Sequence, residues 1–269
     1  MCKISFWPSV LGISLLLFNP NLHAEILSET INYEVAGQPF EGTLSYDDSI
    51  KGKRPGVLVV HEWWGHNAYA KKRTVMLAKL GYTAFALDMY GKGKVADHPK
   101  DAQTYMDAAL ADMKGSEARF NAALKLLENQ PTVEAEKIAA IGYCFGGGMV
   151  LYMAKVNPEL AGVVGYHGAL GIADKAKPTA TPIKTKILVF NGAADPFVTK
   201  EQIDTFEKDM KTNGADYEFI NYPGIQHSFT NPDATDFGKR FNMPPLVYDE
   251  KADKDSWEKT QGFFKKIFK

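Results

Sequence analysis

Val57-Leu58-Val59-Val60 and Ile187-Leu188-Val189-Phe190 are unbroken apolar runs, too short for helices and bounded by polar or glycine-bearing segments. A strand with one wet face would alternate apolar and polar positions. Unbroken runs of this length predict strands covered on both faces, as in a parallel sheet. Strands are accordingly expected at residues 56–61, 82–87, 137–143, 162–166, 186–191 and 217–221. Helices are expected between and after them, near residues 71–80, 101–130, 147–155, 201–212 and 255–268. This alternation predicts an α/β fold with a mostly parallel central sheet flanked by helices. The beginning departs from the rhythm. Ile31-Asn32-Tyr33-Glu34-Val35 and Phe40-Glu41-Gly42-Thr43-Leu44-Ser45-Tyr46 flank the turn-forming Ala36-Gly37-Gln38-Pro39, which predicts an N-terminal antiparallel hairpin.

Composition narrows the class without changing it. With 45% hydrophobic and 23% charged residues in 269, the chain has the balance of a globular protein with a sizeable core. No linker-like stretch or internal repeat divides residues 25–269, so they are expected to form a single domain. A formal net charge of −1 and only four arginines argue against nucleic acid as a partner. Residues 1–24 read as a secretory signal: Lys3 opens it, residues 10–18 form an apolar core, and Leu22-His23-Ala24 offers a cleavage site. The apolar run is too short to span a bilayer, so no stable membrane anchor is expected, and the mature protein is expected to be secreted or periplasmic. The basic end, residues 263–269, reads as a docking helix with a solvated face. No pattern in the chain speaks to oligomeric state.

The leader would carry Cys2 away and leave Cys144 as the mature chain's one cysteine. An unpaired thiol in an oxidising compartment is either buried and inert or reactive with a purpose. Its setting favours the second. Gly142-Tyr143-Cys144-Phe145-Gly146 follows the predicted strand at residues 137–143 and precedes an apolar helical stretch. That is the context of a nucleophile elbow, where a strained turn exposes the reactive atom and small neighbours let helix and strand approach. Asp195 follows the strand ending at Phe190, and His227 lies in Pro223-Gly224-Ile225-Gln226-His227-Ser228-Phe229. The order nucleophile, acid, histidine is that of α/β-hydrolases, with each member placed after a strand, where open α/β sheets bind their ligands.

Five motifs together resemble the dienelactone hydrolase family, a branch of the α/β-hydrolases with a Cys-His-Asp triad. They are His61-Glu62-Trp63-Trp64-Gly65, Asp88-Met89-Tyr90, Gly142-Tyr143-Cys144-Phe145-Gly146-Gly147, Gly192-Ala193-Ala194-Asp195 and Gly224-Ile225-Gln226-His227-Ser228-Phe229. The resemblance spans nearly all of residues 25–269. It implies hydrolysis of a small-molecule ester or lactone through a covalent acyl-enzyme, without a cofactor. By the same resemblance, Glu62 contacts the resting thiol and gates its ionisation, while Trp63 and Phe145 N–H groups form the oxyanion hole. The resemblance further implies arginines clamping a substrate carboxylate near the Asp-x-Tyr motif and four residues beyond the histidine. This chain has Lys92 near the first place and Asn231 at the second, and asparagine cannot replace a bidentate arginine. A more apolar or aromatic substrate wall is therefore expected, built with Trp63, Trp64 and Tyr90 and touched by Lys92 and Asn231.

Plainer readings stand beside these. Cys144 could be a buried structural thiol, Asp195 a helix cap before Pro196, and Glu62 a strand-end surface charge. His61, His66, His98 and His167 read as structural or surface residues. The spacing of His61, Glu62 and His66 does not suit a zinc helix, and Gly146-Gly147-Gly148 lacks the Lys-Ser/Thr of a phosphate loop, so neither metal nor nucleotide binding is expected. Two rival functions remain: thiol redox chemistry at Cys144, which has no resolving cysteine, and a non-catalytic binding module on the same fold.

Overall fold

The computed structural model describes residues 25–269; the predicted leader, residues 1–24, lies outside the described residues. Strands β1 (Ile26–Val35) and β2 (Gln38–Asp47) form the expected hairpin, each longer than the apolar pattern alone indicates. Six further strands follow: β3 (Arg54–Val60), β4 (Thr83–Leu87), β5 (Val133–Tyr143), β6 (Gly162–Tyr166), β7 (Lys186–Gly192) and β8 (Tyr217–Tyr222). All eight join one sheet in the order β1-β2-β4-β3-β5-β6-β7-β8. The hairpin adds to β4 antiparallel through β2, and every pairing from β4 through β8 is parallel.

The unbroken apolar runs are explained by cover on both sides. Along β3, Val57 and Val59 join one core with Tyr69, Leu77 and Phe264, while Leu58 and Val60 join another with Phe120, Leu124 and Val150. The first core lies under helices α1 (Ala68–Lys79) and α8 (Glu250–Ile267). The second lies under α2 (Pro99–Ala111), α3 (Met113–Glu128), α4 (Phe145–Val156), the short α5 (Leu170–Ala173) and α6 (Lys200–Thr212). Burying such strands on both faces removes apolar surface from water at about 25 cal/mol per Å².

Two differences from the sequence pattern have local causes. The segment expected as one helix over residues 101–130 is two, because Asp112 leaves the helical region at φ −117°, ψ 71° and its carboxylate caps Gly115 N–H at 2.9 Å. A helix also forms within residues 231–249, which carried no helical expectation: α7 (Ala234–Arg240). No helix among the described residues is long and apolar enough to cross a membrane.

Candidate active site

β5 ends at Tyr143 and α4 begins at Phe145, so Cys144 alone turns the chain from strand to helix. Its backbone sits at φ 53°, ψ −115°, a conformation costing a non-glycine residue on the order of 1–3 kcal/mol. The turn closes because its flanks lack side chains. A Cβ on Gly142 would lie 2.0 Å from the Gly146 oxygen, and one on Gly146 would lie 2.4 Å from that of Val60. The Cys144 N–H is shared between the Tyr166 carbonyl at 3.0 Å and His167 Nδ1 at 3.1 Å. Cys144 itself is a free, partly exposed thiol.

The acid and histidine arrive on loops tied to each other. Asp195 follows β7 and His227 follows β8, and Ala194 N–H donates to the Ile225 carbonyl at 2.9 Å. The histidine loop is also held from the far side, where Val247 N–H donates to the His227 carbonyl at 3.1 Å. Asp195 Oδ2 accepts from His227 Nδ1 at 2.6 Å, while Oδ1 accepts from Phe197 N–H at 2.8 Å. Turn capping and histidine orientation are therefore done by opposite oxygens of one carboxylate. Burial disfavours the imidazolium, but negative charge and a hydrogen bond at Cys144, together with Asp195, outweigh it and raise the His227 pKa from 6.5 to about 10.

Glu62 is buried just past β3. Its Oε1 accepts from Ser228 Oγ at 3.0 Å and its Oε2 from Asn231 Nδ2 at 2.6 Å. Burial raises the Glu62 pKa against the opposing effect of these hydrogen bonds. Among the described residues no hydrogen bond joins Glu62 to Cys144; the carboxylate faces the histidine loop instead. Trp63 and Phe145 both line the thiol's cavity. Phe145 occupies the first position of α4, where an N–H has no partner within the helix, and neither it nor Trp63 N–H donates a hydrogen bond among the described residues.

The cavity at Cys144 and His227 has a volume of about 290 Å³. Trp63, Met106, Val198, Met243 and Leu246 give it apolar walls, and Phe197 sits edge-on to His227 with ring centroids 5.1 Å apart. Among the described residues, Gln103 is its one polar wall residue besides Cys144 and His227, and no lysine or arginine lines it. A larger depression of about 660 Å³ beside Phe263 and Ile267 is lined by no cysteine, serine or histidine, so size alone does not locate the chemistry.

Of the residues expected on the substrate wall, Trp63 lines the cavity, while Trp64, Tyr90, Lys92 and Asn231 lie elsewhere. Trp64 packs into Phe237 of α7 at 5.0 Å, a seat provided by the helix that the pattern did not reveal. Tyr90 lies against Phe145 and His61, outside the cavity lining. Lys92 reaches the hairpin, where Nζ donates to Asn32 Oδ1 at 2.6 Å. Asn231 is committed to Glu62. Conversely, sequence reasoning set aside His61 and His167, which are both fully buried beside the elbow. His167 accepts from Cys144 N–H through Nδ1, so its proton resides on Nε2, 2.8 Å from Thr230 Oγ1. Both histidines stand at or just after predicted strand ends, the same signal that marked the triad.

An eight-stranded sheet of this order with a strand-to-helix elbow at its carboxyl edge defines an α/β-hydrolase. The model of the dienelactone hydrolase family matches residues 40–268, and the chain belongs to that family. "Protein usf" of Aquifex pyrophilus is 31% identical over 245 residues, covering 89% of this chain and 98% of its own. A protein of Aquifex aeolicus (strain VF5) with a provisional carboxymethylenebutenolidase name is 29% identical over 247 residues, covering 90% of this chain and 100% of its own. Among solved structures, a dienelactone hydrolase-like promiscuous phosphotriesterase from metagenomic libraries superposes with a TM-score of 0.82 at 30% identity, covering 92% of this chain and 100% of its own. The protein is a hydrolase of ester or lactone bonds.

Proposed function

We propose that the protein hydrolyses small, uncharged esters or lactones through an acyl-enzyme on Cys144. The observation that carries this reading is the shared cavity: Cys144, the Asp195-paired His227, and Trp63 and Phe145, whose N–H groups are uncommitted, line one apolar space. The Cys144 sulfur attacks the substrate carbonyl carbon, and the carbonyl π electrons move to oxygen, which Trp63 and Phe145 N–H receive. Collapse of that adduct expels the alkoxide, which takes the proton from His227 Nε2. Water then attacks the thioester, gives a proton back to His227, and releases the acid and the thiolate. Asp195 keeps the His227 ring in the orientation this shuttle needs. Glu62, held by Ser228 and Asn231, places its carboxyl group beside the histidine loop, where it is assigned the gating of the thiol.

The absence of any lysine or arginine from the cavity wall, where the only cation is a His227 already paired with Asp195, sets the substrate class. A carboxylate buried there would lose its hydration with no partner, a cost of several kcal/mol. Neutral acyl groups, lactones and, by analogy with the metagenomic relative, neutral phosphotriesters suit the space. The test compares kcat/KM for a neutral methyl ester or lactone with its carboxylate-bearing analogue, in wild type and Cys144→Ala. Preference for the neutral member by about 100-fold or more, lost with the thiol, is expected. Equal or better turnover of the anion would contradict the assignment.

A further inference from the structure

We propose that His61 is a positioning residue of the oxyanion hole, aiming the Trp63 N–H by holding the carbonyl at the other side of the same peptide unit. The proposal rests on the acyl-enzyme reading above. In a planar trans peptide the Glu62 C=O and the Trp63 N–H point in opposite directions, so whatever fixes the oxygen fixes the donor. Two groups fix it here. His61 Nδ1 donates to the Glu62 oxygen at 2.5 Å and Gly65 N–H donates to it at 3.2 Å. The ring's tautomer is set by its other edge, where Nε2 accepts from Met89 N–H at 3.2 Å. A backbone N–H can only donate, so the imidazole proton is left on Nδ1, facing the Glu62 carbonyl. Burial, acting against hydrogen bonding at Glu62 and the charge of Asp88, lowers the His61 pKa and keeps the ring neutral.

The same residue reaches the second donor. The His61 carbonyl accepts from Gly146 N–H at 3.1 Å, one residue beyond Phe145, and the His61 ring stacks on the Phe145 ring with centroids 5.9 Å apart and planes 28° apart. Tyr90 closes the other side edge-on at 4.7 Å. His61 therefore bridges the loop after β3 and the start of α4, the two segments that supply the N–H groups. A hydrogen bond to an amide oxygen also polarises the amide and strengthens its N–H as a donor, by about 10–30%.

The test separates oxyanion stabilisation from general integrity of the elbow. p-Nitrophenyl acetate turnover needs the hole, because the attacked carbonyl becomes an oxyanion. Alkylation by iodoacetamide does not, because the sulfur displaces iodide directly. His61→Leu removes both ring nitrogens, and we expect kcat to fall about 100-fold with KM and the alkylation rate of Cys144 each within about threefold of wild type. His61→Asn places an amide donor near the Nδ1 position, whereas His61→Gln reaches the Nε2 position beside Met89. Asn should therefore recover at least about tenfold more kcat than Gln, a comparison that stands even if the leucine variant does not fold. Wild-type kcat in His61→Leu, parallel loss of kcat and alkylation, or better rescue by Gln than by Asn would each overturn the proposal. Undiminished ester turnover by Cys144→Ala is a separate result that would overturn the acyl-enzyme reading and this one with it.

Discussion

At Cys144 a strained backbone, a buried histidine and a buried carboxylate meet, and their electrostatics are linked. His227 has its pKa raised to about 10 although burial alone would lower it, so its positive charge depends on the anionic character of Cys144 and Asp195. A histidine whose folded pKa is raised contributes stability that is fully present below its ordinary value of 6.5 and is lost as pH rises through about 10. Asp195→Asn removes the carboxylate partner of His227 and one oriented hydrogen bond. The expected outcome is a lower His227 pKa in an NMR titration and a kcat reduced by about 10²–10⁴-fold, since the ring loses its fixed tautomer. A wild-type His227 titrating near 6.5, or one indifferent to Asp195→Asn, would contradict this account. Glu62 shows the same dependence on surroundings, since Ser228 and Asn231 hold both of its oxygens.

At the scale of elements, the elbow works because β5 and α4 touch through residues without side chains. A methyl group on Gly146 would meet the Val60 and His61 carbonyls at 2.4 and 2.6 Å, and backbone of a central strand cannot yield cheaply. Gly146→Ala should therefore lower unfolding free energy in urea by about 3 kcal/mol or more, with loss of turnover; a variant as stable and active as wild type would show that the elbow is not packed as described. The central strands β3, β4, β6 and β7 were legible in the sequence because they are covered on both faces, which writes a nearly unbroken apolar run. The gathering of Cys144, Asp195 and His227 was legible because each lies within a few residues of the end of a parallel strand. What was not legible depended on which way neighbouring residues point. Trp63 and Trp64 are adjacent, yet one lines the cavity and the other turns to α7, a helix hidden in a stretch without strong periodicity. Asn231 was expected to face substrate for want of any sign that Glu62 would claim it. His61 and His167 looked ordinary because their partners are backbone groups and a threonine hydroxyl, which leave no pattern in sequence.

Across the whole molecule, one sheet gathers groups that are far apart in the chain. Arg73 of α1, buried, donates to the Thr230 carbonyl at 2.7 Å and to Asp253 of α8 at 2.6 Å, so the histidine loop is braced by both helices on that face. The opposite face contributes Met106 and Val198 to the cavity, and the parallel strands between them set its floor at Cys144. The family places the protein among ester and lactone hydrolases, and a cavity wall without lysine or arginine argues for neutral members of that class. The central claim is that turnover passes through a covalent bond to Cys144. Its most direct test is rapid-quench intact mass spectrometry of the protein mixed with an activated neutral ester, alongside Cys144→Ala and His227→Ala. The account predicts a transient mass increase equal to the acyl group on the wild type, mapped to Cys144, absent from Cys144→Ala and formed far more slowly in His227→Ala. Steady turnover with no adduct at any quench time, or turnover that survives Cys144→Ala, would contradict it.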